Sequence, residues 1–487
     1  MNAPLHLTQL IGSDARACSE LDALAVYDPA TGQHYASCPS GTETDVDDAV
    51  RAAHAAFPTW SALPNEARAQ WMHRLADALE ARIEDFAQAE SRDAGKPLRL
   101  VREIEIPRAV ANLRFFAAAA TQFASESHHG QAGLNYTLRQ PLGAVACISP
   151  WNLPLYLFTW KIAPALAAGN CVVAKPSEIT PVTAWMLGEL AREIGFPAGV
   201  LNIVHGLGPV VGTALVEHPG IKAASFTGST AVGRQIAAYC GPSLKKMSLE
   251  LGGKNATIVF ADAWDDESSR ERLLDTMVRS AFQNSGQICL CGSRILVESG
   301  TYDAFRDAFV ARVRTLRVGD PQDAATDLGP MVSRAHYDKV LACIAIARGE
   351  GGSVLCGGES LSPDGRCEGG WFVAPTVIEN LGPDCRSNTD EIFGPVVTLQ
   401  PFDDDAHALA LANATSYGLS ASVWTQRLDR AHRIAADLHS GIVWINTWMM
   451  RDLRTPFGGI GQSGLGREGG AEAMRFFTEP KNVCVQL

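Results

Sequence analysis

Between residues 143 and 227 the sequence alternates short apolar runs with segments of helical length. The runs begin at Gly143, Asn170, Val200 and Ala223. The intervening segments with helical patterns are about Pro154–Ala168, Thr180–Ile194 and one that ends near Glu217. Short apolar strands separated by helices are typical of βαβ units, whose parallel sheet is buried on both faces. This alternation predicts an α/β fold, with ligands at the carboxyl ends of the strands.

The flanking regions extend this prediction. Apolar residues recur at helical spacing from Asp45 to Asp93, where Thr44-Asp45 offers a cap, and again from Leu98 to about Ser125. A second α/β region is predicted from Lys254 to about Asn446.

Two outlying segments alternate apolar and polar residues as edge strands do. They are Leu134–Arg139 and Asn482–Leu487. Together they could form a small separate sheet, whose edge would need a partner chain to cover it.

Composition limits the class of protein. A chain of 487 residues, 46% hydrophobic and 19% charged, is globular and long enough for two to four domains. Its net charge of −12 argues against nucleic-acid and membrane surfaces, although an anionic substrate responds to a local arginine. The 12 cysteines are scattered without a CxxC pair, and neither a signal peptide nor a spanning segment is evident. We therefore expect a soluble, cytoplasmic protein.

Cys289 is a candidate nucleophile. It ends the polar, glycine-containing break that begins at Phe282, shortly before the β-type run at Ile295. A thiol in a loop before a strand is held firmly and is open to substrate. Taken alone, however, a free cysteine is usually a small buried apolar residue.

Polar residues follow two of the predicted strands directly. Asn152 stands between two prolines after the first strand, and Lys175 and Glu178 close the second. A lysine and an acidic residue at this sheet edge suit ribose hydroxyls. The alternatives are a turn asparagine, which is the commoner case, and a solvated loop with Ser177 and Glu178 as a helix cap.

Two glycine-rich turns are candidates for phosphate binding. The segment from His205 to Gly212 contains Gly208 and is a near miss of the dinucleotide fingerprint. Gly228 and Ser229 open a helix after a strand, where backbone amides could hold a pyrophosphate. Each could equally be a tight strand–helix turn.

Glu250 is a candidate general base. It lies in the apolar run Leu249-Glu-Leu-Gly-Gly-Lys254, and such surroundings raise the pKa of a carboxyl group. Pairing with a nearby lysine is the alternative. The segment Asp390–Pro395, by itself, is an ordinary loop.

Taken together, these segments resemble the aldehyde dehydrogenase superfamily from about residue 20 to the C-terminus. Seven motifs occur in the order of that family, and they begin at Pro150, Lys175, Phe226, Glu250, Gly286, Glu391 and Pro456. The resemblance implies a Rossmann-type NAD-binding domain (1–122 and 143–252), an α/β catalytic domain (253–455) and a small β oligomerisation sheet (123–142 and 472–487). It also implies a homodimer or a homotetramer.

The resemblance assigns a role to each matching residue. Cys289 matches the nucleophile, Glu250 the general base and Asn152 the oxyanion donor, which acts with the backbone N–H of Cys289. Glu468 matches a carboxylate of a proton relay. The positions implied for NAD are Ser149, Trp151, Lys175, Ser177, Glu178, Gly208, Gly212, Gly228, Ser229, Leu251, Glu391 and Phe393. The acidic Glu178 favours NAD over NADP, whose 2′-phosphate it would repel.

The region after Trp448 resembles the branch that oxidises 2-hydroxymuconic and 2-aminomuconic semialdehydes. In that branch two arginines hold the distant carboxylate of the substrate, and they match Arg108 and Arg454 here. Trp160 and Phe457 match positions that line the pocket. Without the resemblance, both arginines would be ordinary surface charges and both aromatic residues core.

Some residues leave the substrate open. Met449-Met450 stands where less flexible side chains are expected, and Cys291 beside Cys289 also occurs in the aminomuconic relatives. A hydroxymuconic substrate, an aminomuconic one and a general aldehyde are therefore all alternatives. A thiol esterase without cofactor and a structural protein that kept the fold are less compatible with the complete set of motifs.

Overall fold

The computed structural model describes residues 4–17 and 23–486. A sheet of eight strands, here the first sheet, organises its N-terminal half. In spatial order its strands are Gly464–Leu465, Lys246–Glu250, Ile221–Thr227, Ala144–Ile148, Cys171–Lys175, Leu201–Ile203, Gln9–Ile11 and Asp14–Arg16. The strands from Lys246–Glu250 to Leu201–Ile203 are parallel, and the outer ones are antiparallel. The four predicted strands are confirmed, and their carboxyl ends share one edge.

Helices cover both faces of the first sheet. Their bounds are Glu43–Ala62, Asn65–Glu80, Ile83–Ala94, Leu98–Leu100, Ile106–Gln122, Pro154–Ala167, Val182–Glu193, Thr213–Glu217 and Thr230–Cys240. The helix Pro154–Ala167 is buried along its whole length, which explains why its sequence is apolar all round.

Two details differ from the sequence-based expectations. The first helix is capped by Thr42, whose hydroxyl accepts a hydrogen bond from Asp45 N, so the cap predicted at Thr44-Asp45 was wrong. The cap precedes Asp45 by three residues because it bonds the third amide of the helix. Two π-helical turns, Val101–Glu105 and Gly208–Gly212, were not predicted.

The second α/β region contains a sheet of seven strands. In spatial order they are Ser353–Cys356, Thr376–Glu379, Val396–Phe402, Arg294–Glu298, Ala256–Val259, Ser420–Trp424 and Ile442–Ile445. All neighbours except the first pair are parallel. Its helices are Ala261–Asp265, Glu267–Phe282, Tyr302–Val313, Arg334–Gly349, Arg386–Thr389, Asp405–Asn413 and Leu428–Asp437. The predicted second α/β region is confirmed.

A small antiparallel sheet joins Ser127–Gly130, Gly133–Pro141 and Thr478–Gln486. Asn482 pairs with Thr137 and Val485 with Leu134, so the two predicted edge strands do meet; Leu487 lies outside the described residues. A last helix, Gly470–Phe476, precedes the C-terminal strand.

Short strands complete the fold. Leu5–His6, Gln33–Pro39 and Ala23–Asp28 form a three-stranded sheet, and two pairs are Ser360–Leu361 with Phe372–Val373 and Tyr417–Gly418 with Ile460–Gly461. Within residues 4–17 and 23–486, no helix has the length and apolar character needed to cross a membrane. The same residues hold no group of three or more His, Cys, Asp or Glu side chains arranged to bind a metal ion.

Candidate active site

The loop that carries Cys289 connects the helix Glu267–Phe282 with the strand Arg294–Glu298. Asn284, Ser285 and Gly286 all have left-handed backbone, with φ of 53°, 53° and 71°. A Cβ on Gly286 would lie 2.0 Å from the carbonyl oxygen of Gly394. Glycine is therefore required at Gly286 both by its φ and by the close approach of the neighbouring segment.

Hydrogen bonds fix the backbone around Cys289. The Asn255 side chain donates to the carbonyl oxygens of Cys289 (2.7 Å) and Cys291 (2.9 Å). Cys289 itself is half-buried. Burial raises the pKa of its thiol, Glu391 and Glu250 raise it further, and Arg451 lowers it. The resting site thus favours the neutral thiol, so a nucleophile must be produced by proton transfer.

The amide of Asn152 lies against the Cys289 loop. Its Nδ2 donates to the carbonyl oxygen of Gln287 at 3.0 Å, and Asn284 donates back to the carbonyl oxygen of Asn152 at 3.1 Å. These are long-range bonds, unlike those of a simple turn asparagine. Because Nδ2 carries two hydrogens, one remains to donate to an oxygen formed at Cys289.

Glu250 ends its strand with a buried carboxylate. Its Oε1 has no hydrogen-bond partner, and a Cβ on Gly458 would lie 2.5 Å from that oxygen. Burial raises the pKa of Glu250 well above its usual range; Glu468 adds to this rise, while Lys161, Arg467 and Arg451 oppose it. Gly458 is thus the residue that makes room for the carboxylate, in agreement with its φ of 147°.

Behind Glu250 lies a buried polar cluster that sequence reasoning located only in part. Lys161 donates to Glu468 Oε1 at 2.7 Å and to Ser225 Oγ at 3.1 Å, and Ser225 donates to the same carboxylate oxygen at 3.1 Å. The second oxygen of Glu468 has no partner. Lys161 and Ser225 were missed because a lysine inside an apolar helix and a serine inside a strand carry no motif of their own.

Lys175 and Glu178 form an ion pair at the edge of the first sheet. Lys175 Nζ lies 2.9 Å from Glu178 Oε2 and also donates to the carbonyl oxygen of Pro176. Burial alone would raise the pKa of Glu178, but Lys175 and the backbone hydrogen bonds of Glu178 and Gly208 together outweigh burial, and the net shift of the pKa is downward. The Gly208 amide donates to the other oxygen of this carboxylate at 3.4 Å, and Gly212 lies close to the Lys175 side chain.

The helix Thr230–Cys240 begins directly after the strand Ile221–Thr227, at the carboxyl edge of the first sheet. Ser229 is exposed and caps the helix by accepting from Val232 N at 3.3 Å. Gly228 leaves no room for a Cβ beside the Phe226 ring, and Gly233 none beside Leu251. The hydroxyl of Ser149 is buried without a partner, and that of Ser177 accepts from Ile179 N at 3.2 Å.

Glu391, Phe393 and Trp151 are held by contacts with distant parts of the chain. Glu391 Oε1 accepts from Gly253 N at 2.8 Å, and its pKa is raised by burial. The Phe393 ring lies 5.3 Å from the Trp151 ring, and the Phe393 carbonyl oxygen bonds His336 Nε2 at 2.7 Å. Phe393 has a φ of 61°, which a phenylalanine adopts only where its surroundings hold it.

Arg108 and Arg451 share an aromatic pocket. Nε and Nη2 of Arg108 are buried without partners, and its guanidinium lies 5.5 Å from the Tyr156 ring. Arg451 donates to the Tyr156 hydroxyl at 2.9 Å and lies over the rings of Phe457 (4.0 Å) and Trp160 (5.3 Å). Burial lowers the pKa of Arg108, and the charge of Arg451 lowers it further.

The structure does not bring Arg454 into this pocket. Its side chain is 79% exposed and forms an ion pair with Asp452, two residues earlier. The second arginine of the pocket is instead Arg451, which the motif spacing did not single out. Met449, two residues before Arg451, has a left-handed φ of 59°, and beyond it Arg451 lies against the Phe457 ring whereas Arg454 is exposed.

Phe457 and Trp160 link the pocket to the cluster around Glu468. Phe457 and Glu468 exchange two backbone hydrogen bonds of 2.7 Å, and the Trp160 ring lies against Gly469. A separate cavity of about 330 Å³ is lined among others by Ile104, Arg279 and Asn284, and by none of the pocket residues Arg108, Trp160, Arg451 and Phe457. A larger cavity of about 930 Å³, between the N-terminal strands and Arg366, contains none of the motif residues.

Comparison with known proteins agrees with this geometry. The model of the aldehyde dehydrogenase family matches residues 16–483. A 2-aminomuconic semialdehyde dehydrogenase of Danio rerio is 47% identical over 99% of this chain and 98% of that protein. A 2-hydroxymuconic semialdehyde dehydrogenase of Pseudomonas sp. (strain CF600) is 44% identical over 94% of this chain and 95% of that protein.

The fold is equally similar to that of solved structures. An NAD⁺ complex of an aldehyde dehydrogenase from Bacillus cereus superposes with a TM-score of 0.94 and 36% identity, over 99% of this chain and 97% of that one. The family model and these relatives match almost the whole length of the chain, at identities of 36% to 47%, and this determines the family. The chain belongs to the aldehyde dehydrogenase family.

Proposed function

We propose that this enzyme oxidises a carboxylated, unsaturated semialdehyde, 2-hydroxymuconate 6-semialdehyde, to the dicarboxylate in the breakdown of aromatic compounds. The observation that carries the proposal is the Arg108–Arg451 pocket, in which Nε and Nη2 of Arg108 are buried without hydrogen-bond partners and Arg451 bonds the hydroxyl of Tyr156. A carboxylate at the far end of a substrate would satisfy these unpaired donors. The similar proteins include both hydroxymuconic and aminomuconic enzymes, so 2-aminomuconate semialdehyde is the alternative.

NAD is the cofactor, and the groove at the sheet edge suits it. The Lys175–Glu178 pair offers a carboxylate to the adenosine ribose, the helix start at Ser229 suits a pyrophosphate, and Glu391 offers a second carboxylate to the other ribose. When bound there, NAD supplies the acceptor for the hydride of the aldehyde. The negative charge of Glu178 would repel the 2′-phosphate of NADP, which supports a preference for NAD.

Cys289 forms the covalent bond with the substrate. The thiol of Cys289 first gives its proton to solvent, and the resulting thiolate attacks the aldehyde carbon. The free Nδ2 hydrogen of Asn152, with the backbone N–H of Cys289, stabilises the oxygen that becomes negative. Oxidation at this carbon leaves a thioester on Cys289. The alternative of a cofactor-free thiol esterase would leave Glu178, Ser229 and Glu391 without a role.

Glu250 provides the base for the second half of the reaction. Its unpartnered Oε1 is available to a water molecule, from which the carboxylate takes a proton as the water attacks the thioester. The neighbouring carboxylate of Glu468, held by Lys161, is suited to receive that proton next. The product acid is then released, and Cys289 is again a free thiol.

The small antiparallel sheet supports assembly into a homodimer or a homotetramer. The strands Ser127–Gly130 and Thr478–Gln486 form its two edges, and most of their residues are exposed. Such edges favour pairing with another copy. The domain division drawn from the sequence is part of this proposal, as is a cytoplasmic location, which the scattered cysteines support.

The test is the rate of NADH formation with three aldehydes compared side by side. We expect kcat/KM for 2-hydroxymuconate semialdehyde to exceed that for benzaldehyde and for a short aliphatic aldehyde by about 100-fold or more, because two arginine contacts are lost with a neutral substrate. Equal values for all three aldehydes would contradict the proposed substrate. The same comparison with 2-aminomuconate semialdehyde decides between the two muconic substrates.

A second prediction separates the two candidate arginines. The variant Arg451→Met should raise KM for the carboxylated semialdehyde by roughly 100-fold, because it removes one partner of a buried charge pair. Neutral aldehydes should be affected far less. Arg454→Met is the matched control, since this arginine is exposed and bonds only Asp452; an equal effect of both substitutions on KM would contradict the inward role of Arg451.

A further inference from the structure

A buried ion cluster, here called the positioning cluster, contacts two of the segments that carry residues of the substrate pocket. It consists of Glu90, Lys96 and Glu105, each at most 2% exposed. Lys96 Nζ lies 2.5 Å from Glu105 Oε2 and 3.9 Å from Glu90 Oε1. Burial raises the pKa of Glu105 to about 8, although Lys96 opposes the rise. The reaction described above uses none of these residues.

One end of the positioning cluster anchors the helix Pro154–Ala167. Glu90 Oε2 accepts from Leu155 N at 3.0 Å and from Thr183 Oγ1 at 2.9 Å. Leu153 and Pro154, at the helix start, have no side chain that caps it, so Glu90 supplies the acceptor from a distant helix. The same helix carries Tyr156, whose hydroxyl bonds Arg451 and whose ring faces Arg108.

The other end anchors the π-helical turn Val101–Glu105. In this turn Ile106 N bonds to the carbonyl oxygen of Val101, five residues earlier, and Arg108 follows in the helix Ile106–Gln122. A π turn contains an extra residue, so its relaxation to an α-helix would rotate every following side chain by about 100°. Arg108 would then leave the pocket.

We propose that Glu90, Lys96 and Glu105 are positioning residues that set Arg108 against Tyr156, and thereby specify a carboxylated substrate. Glu105 fixes the phase of the helix that carries Arg108, and Glu90 fixes the start of the helix that carries Tyr156. Lys96 lies between the two carboxylates and links them. The inference rests on the proposed function, because it concerns the pocket for the distant carboxylate.

The experiment measures the ratio of kcat/KM for 2-hydroxymuconate semialdehyde to that for benzaldehyde. We expect Glu105→Gln to lower this ratio by about tenfold or more, through a rise in KM for the semialdehyde alone. NAD affinity, measured by titration of the protein without substrate, should stay unchanged. The double variant Lys96→Met with Glu105→Leu should lower the ratio likewise, and it tests the proposal in a protein that keeps an apolar core if the single variant fails to fold.

The matched control is Glu84→Gln. Glu84 bonds Arg102 of the same π turn through two hydrogen bonds of 2.7 Å, but this ion pair is exposed. Loss of this exposed ion pair should leave the ratio of the two kcat/KM values at its wild-type level. An unchanged ratio in Glu105→Gln or the double variant, with only a lower melting temperature, would overturn the proposal. Failure of the proposed function would appear differently, as a wild-type enzyme without preference for the carboxylated substrate.

Discussion

Replacing Cys289 with serine should lower kcat for aldehyde oxidation by about 10³-fold or more. A serine hydroxyl has a far higher pKa than a thiol, and the carboxylates of Glu391 and Glu250 around this position disfavour a further negative charge. Asn152 would still stabilise an oxyanion, but no nucleophile would produce one. Steady-state NADH formation measures the loss, and titration with NAD should show an affinity close to that of the wild type.

Cys291→Ser is the control for this prediction. Cys291 lies two residues on, is also buried and has a thiol whose pKa burial raises to about 12. Since its carbonyl oxygen, rather than its sulfur, bonds Asn255, the substitution should leave kcat within about fivefold of the wild type. Loss of activity in Cys291→Ser with retention in Cys289→Ser would contradict the proposal and assign the nucleophile to Cys291.

The variant Glu250→Gln should show a fall in kcat of about 10²- to 10⁴-fold. The amide keeps the shape of the side chain beside Gly458 but accepts no proton, so water is no longer activated. In the wild type, kcat should rise with pH as Glu250 loses its proton, and this rise should lie well above the usual range of a carboxyl group because burial raises its pKa. In the variant the rise should disappear.

Rapid mixing distinguishes loss of the base from general damage to the site. Because Cys289 and Asn152 remain, Glu250→Gln should still release NADH in a first turnover, with an amplitude close to one per active site. The thioester would then accumulate, and the steady rate would be low. A variant without this first turnover would indicate that Glu250 acts before the thioester forms.

The fold follows from the sequence where apolar pattern and chain length decide the structure. Runs such as Cys171–Lys175 are buried on both faces of a parallel sheet, so their position is specified by hydrophobicity alone. The π turn Val101–Glu105 gives no such signal, and no motif indicates that Glu105 is in contact with Lys96. The sequence analysis placed the helix cap two residues too late, at Thr44 instead of Thr42, because several neighbouring residues are able to cap a helix.

The site follows from the sequence where a residue belongs to a motif at a strand end. Asn152, Lys175 and Glu250 all lie at the edge where the parallel strands of the first sheet end. Lys161 was missed because its partners, Glu468 and Ser225, are distant in the chain. Arg454 was preferred to Arg451 because spacing does not reveal on which side of a loop a charge emerges.

That loop has a consequence for how such enzymes diverge. Arg451 and Arg454 stand three residues apart on opposite sides of one surface turn that begins at Met449. Phe457, beyond the turn, is held by its two backbone bonds to Glu468, which do not involve the residues of the turn. A gene duplicate that gained or lost a codon here could exchange an inward cation for a neutral side chain in one step. New substrates would then be acquired without loss of the chemistry at Cys289.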